Sequence, residues 1–218
     1  MDDADGLRHS LTVSEIVERW PTLFHMAEAD SWLSVERHGL LSTTALLDLF
    51  EVTGDEREAI ESARRSESVT IHHPVHGTVV IRDNKPINEL ALRRTLVGMT
   101  EVEWYRTLNG RVYFWLSKRR MDKLREAKAY RDRRHDILTI DTTALLAHYA
   151  TRVELSALNS GAVHPAANVP RGVETFRPIA GFPWSQRLKV NRAEPIVELT
   201  IPYAVPDIAR YVINVSTH

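Results

Sequence analysis

Hydrophobic and polar positions alternate over several short stretches of this chain, in the pattern typical of β-strands. These stretches are rich in β-branched and aromatic residues, which favour extended structure. Two of them flank the turn sequence His-Pro-Val-His-Gly and predict a hairpin. The predicted strands are residues 22–27, 69–73, 78–82, 111–116, 136–140, 196–201 and 211–215.

Other stretches carry the start and stop signals of helices. Thr12 with Glu15, and Thr100 with Glu103, have the spacing of a capping box. Asp30 is predicted to cap a further helix, because Asp is a preferred residue at that position. The predicted helices are residues 12–19, 30–39, 42–50, 55–65, 88–96 and 142–149, with two more after residues 100 and 117.

Strands and helices are mixed without strict β-α-β alternation, which favours an α+β fold over a doubly wound sheet. Residues 159–186 are rich in Gly, Pro, Asn, Ser and Arg and are predicted to form long ordered loops. We find no internal repeat, no low-complexity tract and no linker. The sequence therefore predicts one domain over residues 1–218.

Composition narrows the class of protein. Of 218 residues, 43% are hydrophobic and 26% are charged, which is ordinary for a globular protein. No apolar run reaches the roughly 18 residues of a membrane span, and the acidic N-terminus resembles no targeting signal. The absence of cysteine excludes disulfides and thiolate zinc sites. These features predict a cytoplasmic protein with no membrane partner.

The net charge of −1 hides a basic stripe, which we define as residues 117–135. This segment holds nine Lys or Arg and three acidic residues, so its charge is +6. A local basic stripe on a neutral protein suits a phosphate-bearing ligand. The interspersed acids fit a solvated helix face equally well.

Two residues on predicted strands could carry chemistry. On the strand 196–201, Val197, Leu199 and Ile201 share the face predicted to be core, and Glu198 lies on the other face. Glu198 is either solvated or directed into a cleft where its charge is used. His25 has apolar neighbours on its strand and is either a hydrogen-bonded core residue or a functional one.

Several common motifs are missing. No Gly-x-Gly-x-x-Gly follows a strand and no Walker-type loop occurs, which removes the usual arguments for a Rossmann dinucleotide site or a P-loop. His72, His73 and His76, with Asp83, suggest a metal site. They lie on a predicted hairpin turn, however, and not on one helix face, so we predict no metal.

Three segments resemble the ADP-ribosyltransferase fold, and DarT-type DNA ADP-ribosyltransferases in particular. They are Phe24-His25 with His38-Gly-Leu-Leu-Ser42, Val112-Tyr-Phe-Trp115 followed by Lys118-Arg119, and the strand that begins at Glu198 and runs into Val205-Pro206. The resemblance implies an α+β domain with a split mixed or antiparallel sheet and surrounding helices. The middle of the chain, including Arg171-Gly172, resembles an uncharacterised bacterial family of unknown function.

The resemblance implies NAD as the substrate and assigns the site residues. Glu198 would stabilise the oxocarbenium-like transition state, as in glycosidic cleavage. His25 would bind the nicotinamide-side ribose. Tyr113 or Trp115 would stack on nicotinamide, although aromatic strand residues are also common in cores.

The same resemblance leaves the remaining contacts and partners open. Lys118, Arg119 and Arg120 compete as the residue that binds the pyrophosphate. Arg171, Asn159 and Ser160 would contact the acceptor, or would only shape the loop.

The implied acceptor is DNA, RNA or a nucleobase, and an antitoxin-type protein would be a further partner. The alternatives are a non-catalytic module that binds nucleotide or nucleic acid, an NAD hydrolase, or a transferase acting on a protein or small molecule.

Overall fold

A computed structural model describes residues 10–218, and the acidic N-terminal residues considered above lie outside this range. The helices in this range are α1 (Val13–Arg19), α2 (Trp32–His38), α3 (Thr43–Leu49), α4 (Gly54–Glu61), α5 (Glu89–Thr95), α6 (Glu101–Asn109), α7 (Lys118–Arg125), α8 (Thr142–Tyr149) and α9 (Trp184–Val190). The strands are β1 (Thr22–Glu28), β2 (Leu40–Leu41), β3 (Val69–His73), β4 (Gly77–Ile81), β5 (Leu96–Val97), β6 (Arg111–Trp115), β7 (His135–Asp141), β8 (Glu154–Ser156), β9 (Arg171–Gly172), β10 (Arg177–Pro178), β11 (Glu198–Pro202), β12 (Ala204–Val205) and β13 (Val212–Thr217).

The helix caps follow local sequence closely. Both predicted capping boxes form: the backbone N–H of Thr12 donates to Glu15 at 2.9 Å, and that of Thr100 donates to Glu103 at 2.7 Å. The predicted cap at Asp30 is wrong. Ser31 holds the N-cap position of α2, while Asp30 lies in a left-handed turn with φ of 63°.

The predicted loop over residues 159–186 also needs correction at its end. Helix α9 begins at Trp184, inside that segment, and no side chain caps it. Trp184 is buried and packs edge-to-face on Trp20, with ring centroids 6.3 Å apart. Tertiary packing therefore stabilises this helix, which lacks a side-chain cap.

A seven-stranded sheet in the order β10-β8-β11-β6-β1-β7-β13 forms the centre of the fold, and every pairing in it is antiparallel. The helices lie around it, so the α+β class is confirmed. Parallel pairing occurs between the two-residue strands β5 and β9, outside the main sheet.

The two faces of the sheet carry different side chains. Leu23, Phe114, Leu138 and Leu199 project into the main core, which α1 and α8 cover. On the opposite face α7 packs its Met121 against β1 and β7. Because side chains alternate along a strand, Glu198 lies on this opposite face, next to the aromatic side chains of β6.

Strands β1 and β6 separate almost as soon as they meet. Their single registered pair is Phe24 with Trp115, whereas β1 pairs with β7 along its whole length. Beyond that pair the two strands diverge, so the centre of the sheet opens. We call this opening the sheet split.

Two of the segments that resemble ADP-ribosyltransferases pack directly on each other. Strand β2 pairs with β12, so that Leu40 lies opposite Val205. Gly39 adopts a φ of 86°, and a Cβ added there would lie 2.4 Å from the Cα of Pro206. Only glycine allows this approach, which fixes the turn that follows β11.

Candidate functional site

A cavity of about 500 Å³ begins at the sheet split. It is lined by β1, β6 and Glu198, by α2 and α3, by β4 of the hairpin, and by Asn159, Gly161 and Ala162. Its size lies in the range of roughly 300–1,000 Å³ typical of ligand pockets. Four predicted site residues on three different strands meet in it, namely His25, Tyr113, Trp115 and Glu198.

Glu198 is directed into this cavity and is only 3% exposed. The solvated alternative is therefore wrong. The backbone N–H of Ser160 donates to both carboxylate oxygens, at 3.1 and 3.2 Å. Burial raises the pKa of Glu198 to about 7, although Ser160 and the charges of Arg120 and Arg171 favour the ionised form. A carboxyl group of this kind can accept or release a proton near neutral pH.

His25 lies at the edge of the sheet split. Its Nδ1 is 2.8 Å from the backbone carbonyl oxygen of Tyr113. Tyr113 lies on β6 beyond the point where that strand is in register with β1. Because a carbonyl can only accept, Nδ1 carries the proton and Nε2 is left as an acceptor. Burial lowers the pKa of His25 to about 4, against a smaller opposing effect of this hydrogen bond. The imidazole is therefore neutral at physiological pH.

The two cavity-lining aromatic residues of β6, Tyr113 and Trp115, also pack against hydrophobic clusters. Tyr113 is half-buried, donates its hydroxyl to the carbonyl of Leu108 at 3.1 Å and packs edge-to-face on Phe176. Burial raises the pKa of its phenol, and the nearby Glu198 charge adds to this effect. Trp115 packs against the Met121 cluster beneath α7 and also lines the cavity.

The loop before β11 divides into a lining part and a buried part. Asn159 lines the cavity, while Ser160 is fully buried and bonded to Glu198. Arg171 is also buried, at 6% exposure, and its guanidinium donates to the carbonyls of Val169 and Ala162. This placement differs from the predicted contact with an acceptor phosphate, because both terminal guanidinium nitrogens donate to carbonyls of the protein.

The predicted pyrophosphate residues lie outside the cavity. Lys118 and Arg119 are exposed on α7, where Lys118 pairs with Asp122 and Arg119 with Glu194. Arg120 pairs with the same Glu194 at 2.8 Å. Seven of the nine cations in the basic stripe form ion pairs among the described residues. Much of the stripe's charge is therefore balanced locally.

Two arginines that the sequence did not single out line the cavity instead. Arg65 is buried and donates to the carbonyls of Ile60 and Arg82. Burial lowers the pKa of Arg65 to about 10, so it stays charged at neutral pH. Arg82 donates to the carbonyl of Met26 at 3.1 Å and pairs with Glu28 at 3.3 Å. No sequence motif marks either residue.

The histidine-rich hairpin forms a ring cluster. His73 stacks on His76 with centroids 4.6 Å apart, and His38 of α2 meets His76 edge-to-face at 5.1 Å. Asp83 accepts a hydrogen bond from Tyr130 at 3.0 Å. Among residues 10–218 no group of three or more His, Asp or Glu side chains is arranged to hold a metal ion.

The fold and the site define an α+β protein whose central sheet opens onto a cavity holding a buried carboxylate and a neutral imidazole. The chain belongs to DUF7002, a family of unknown function, whose model matches residues 21–212. No curated protein and no solved structure matches it. In the described part of the chain, no helix has the length and apolar character needed to cross a membrane.

Proposed function

We propose that this protein is an NAD-dependent ADP-ribosyltransferase whose reaction takes place at Glu198. The observation that carries the proposal is the meeting of Glu198, His25 and Tyr113, from three separate strands, in one cavity. The order and types of these residues agree with the implied ADP-ribosyltransferase site.

Glu198 provides the charge that the reaction needs. Breaking the C–N bond between ribose and nicotinamide sends the bonding electron pair to nicotinamide, which leaves neutral, and places positive charge on the ribose. An ionised carboxylate in a poorly solvated cavity stabilises that cation more than one in water does. When an acceptor attacks the ribose carbon it loses a proton, and a carboxylate with a pKa of about 7 is suited to receive it.

His25 and the β6 aromatics provide the binding surface in this proposal. A neutral imidazole with Nε2 as acceptor can take a hydrogen bond from a ribose hydroxyl without adding positive charge next to the forming cation. Tyr113 or Trp115 offers a ring face for nicotinamide.

The diphosphate needs a cation inside the cavity. Arg82 and Arg65 line the cavity, whereas Lys118 and Arg119 do not. A guanidinium also matches phosphate geometry better than an ammonium does. We therefore propose Arg82 as the primary diphosphate ligand, supported by Arg65.

The acceptor proposed first is DNA, RNA or a free nucleobase, as the resemblance implies. Within the described residues of the basic stripe, Lys123 and Lys128 form no ion pair and remain available for phosphate contacts. Binding that depends on such contacts weakens steeply with salt. A salt titration of polymer binding therefore tests the acceptor separately from the NAD chemistry.

The decisive experiment measures nicotinamide release from NAD by the wild type and by Glu198→Gln. Glu154→Gln is the matched control, because Glu154 lies on the neighbouring strand β8, pairs with Arg111 and does not line the cavity. Each protein is assayed alone and with single-stranded DNA, duplex DNA or RNA. We expect release that requires Glu198, survives Glu154→Gln and rises with one polymer.

The other outcomes separate the alternatives. Release that needs Glu198 but no polymer indicates NAD hydrolysis or a protein or small-molecule acceptor. NAD binding in calorimetry without any release indicates a non-catalytic module. Absence of both binding and release refutes the proposal.

A further inference from the structure

Arg171 occupies an unusual place for a cation. It lies on β9, opposite Leu96 of β5, and is 6% exposed. Its Nη1 donates to the carbonyl of Val169 at 3.0 Å and its Nη2 donates to that of Ala162 at 2.9 Å. At the next residue, Gly172, the backbone of β9 lies so close to β5 that an added Cβ would be 2.0 Å from the carbonyl oxygen of Val97.

The carbonyl that Arg171 holds belongs to the segment that contacts Glu198, which we call the Glu198 loop (residues 159–163). Ser160 donates its N–H to both Glu198 oxygens, and Ala162 accepts from Arg171 two residues later. Val163 then donates to the carbonyl of Pro86 at 2.9 Å. The Glu198 loop is therefore fixed by the carboxylate, by the guanidinium and by residue 86.

Burial of a cation without a carboxylate in contact is costly. Among the described residues Arg171 forms no direct ion pair. Burial lowers the pKa of Arg171, and the charge of Glu198 acts in the opposite direction. The two buried groups therefore stabilise each other's charge through space, and hydrogen bonds link them through the Glu198 loop.

We propose that Arg171 is a positioning residue, which holds the Glu198 loop so that Ser160 bonds to Glu198 and which favours the ionised carboxylate by its own charge. This inference deepens the proposed function, and it rests on that function only for its catalytic consequence. In this inference Arg171 holds residues of the protein itself and does not contact the acceptor.

The test is an NMR titration of the Glu198 carboxyl carbon in protein carrying isotope-labelled glutamate, with the signal assigned by its loss in Glu198→Gln. In Arg171→Gln we expect the titration midpoint to rise by about 1 pH unit, because a nearby cation is lost. In Arg171→Lys we expect a smaller rise, because a cation remains but the two-pronged hydrogen bonding is lost. Arg177→Gln is the control, since Arg177 lies on the sheet edge and pairs with Glu174.

The titration needs no NAD, so it tests the inference even if the protein does not cleave NAD. If NAD is cleaved, the acidic limb of kcat/KM, which reports the free enzyme, should move by the same amount in each Arg171 variant, while KM stays within about twofold. An unchanged midpoint in a folded Arg171→Gln variant overturns the inference. If that variant does not fold, an unchanged midpoint in Arg171→Lys overturns it.

Discussion

Replacing Glu198 by Gln should raise the stability of this protein at alkaline pH, even as it removes the proposed chemistry. Burial raises the pKa of Glu198 from 4.5 to about 7 in the folded state. The folded protein therefore binds this proton more tightly than the unfolded chain does. The resulting stability is fully present below pH 4.5 and is lost as the pH rises through about 7.

The magnitude follows from the two pKa values. Each pKa unit corresponds to about 1.4 kcal/mol, so ionisation of Glu198 costs the folded state about 3 kcal/mol at about pH 8. Glutamine cannot ionise and avoids this cost, while its side-chain oxygen can still accept from the Ser160 N–H.

Urea denaturation of both proteins at about pH 4.5 and about pH 8 measures the effect. The comparison between the two pH values cancels any pH-independent packing cost of the amide. We expect Glu198→Gln to gain about 2–3 kcal/mol relative to the wild type between the two conditions. An exposed control, Glu56→Gln, should change by less than about 0.5 kcal/mol at either pH. An equal difference between Glu198→Gln and the wild type at both pH values would refute the reasoning.

Three further predictions address the fold, the diphosphate ligand and the histidine. Gly39→Ala should destabilise the protein by about 3 kcal/mol or more in urea denaturation, because its Cβ meets the backbone of Pro206 at a positive φ; a shift below about 1 kcal/mol would contradict this. Arg82→Gln should raise the Kd for NAD about tenfold in calorimetry, whereas Arg119→Ala leaves it within about twofold; the reverse order would return the diphosphate to α7. His25→Asn should slow nicotinamide release about 100-fold. It should not move the acidic limb of the pH–rate profile, because His25 is already neutral at the pH of that limb. A moved limb would show that His25 itself titrates at that pH.

The sequence predicted those elements whose signals are local. The capping boxes at Thr12 and Thr100 depend on residues three positions apart, so they form as expected. The cap at Asp30 was wrong because its neighbour Ser31 can begin the same helix. Helix α9 was missed because the buried packing of Trp184 fixes it in the absence of a cap.

The site was predictable only in part, because only some of its features depend on local sequence signals. His25, Tyr113 and Glu198 are placed by their strands, and side-chain alternation gives the face on which Glu198 lies. Alternation does not reveal what covers that face, so the burial of Glu198 required the tertiary structure. The same limit explains Arg65 and Arg82, which precede and follow the β3–β4 hairpin in the chain and line the cavity only because of the tertiary structure.

The strand order of the sheet has a consequence for biosynthesis. Strand β1, the first of the seven sheet strands in chain order, lies near the centre of the sheet. Its neighbour β6 is followed in space by β11, the sixth of these strands in chain order. Pairings between such distant segments form only after the intervening chain has been synthesised. While the ribosome is still translating, β6 therefore lacks its β11 neighbour and the nascent chain lacks Glu198. The proposed NAD-consuming activity can therefore arise only after β11, which carries Glu198, has been synthesised.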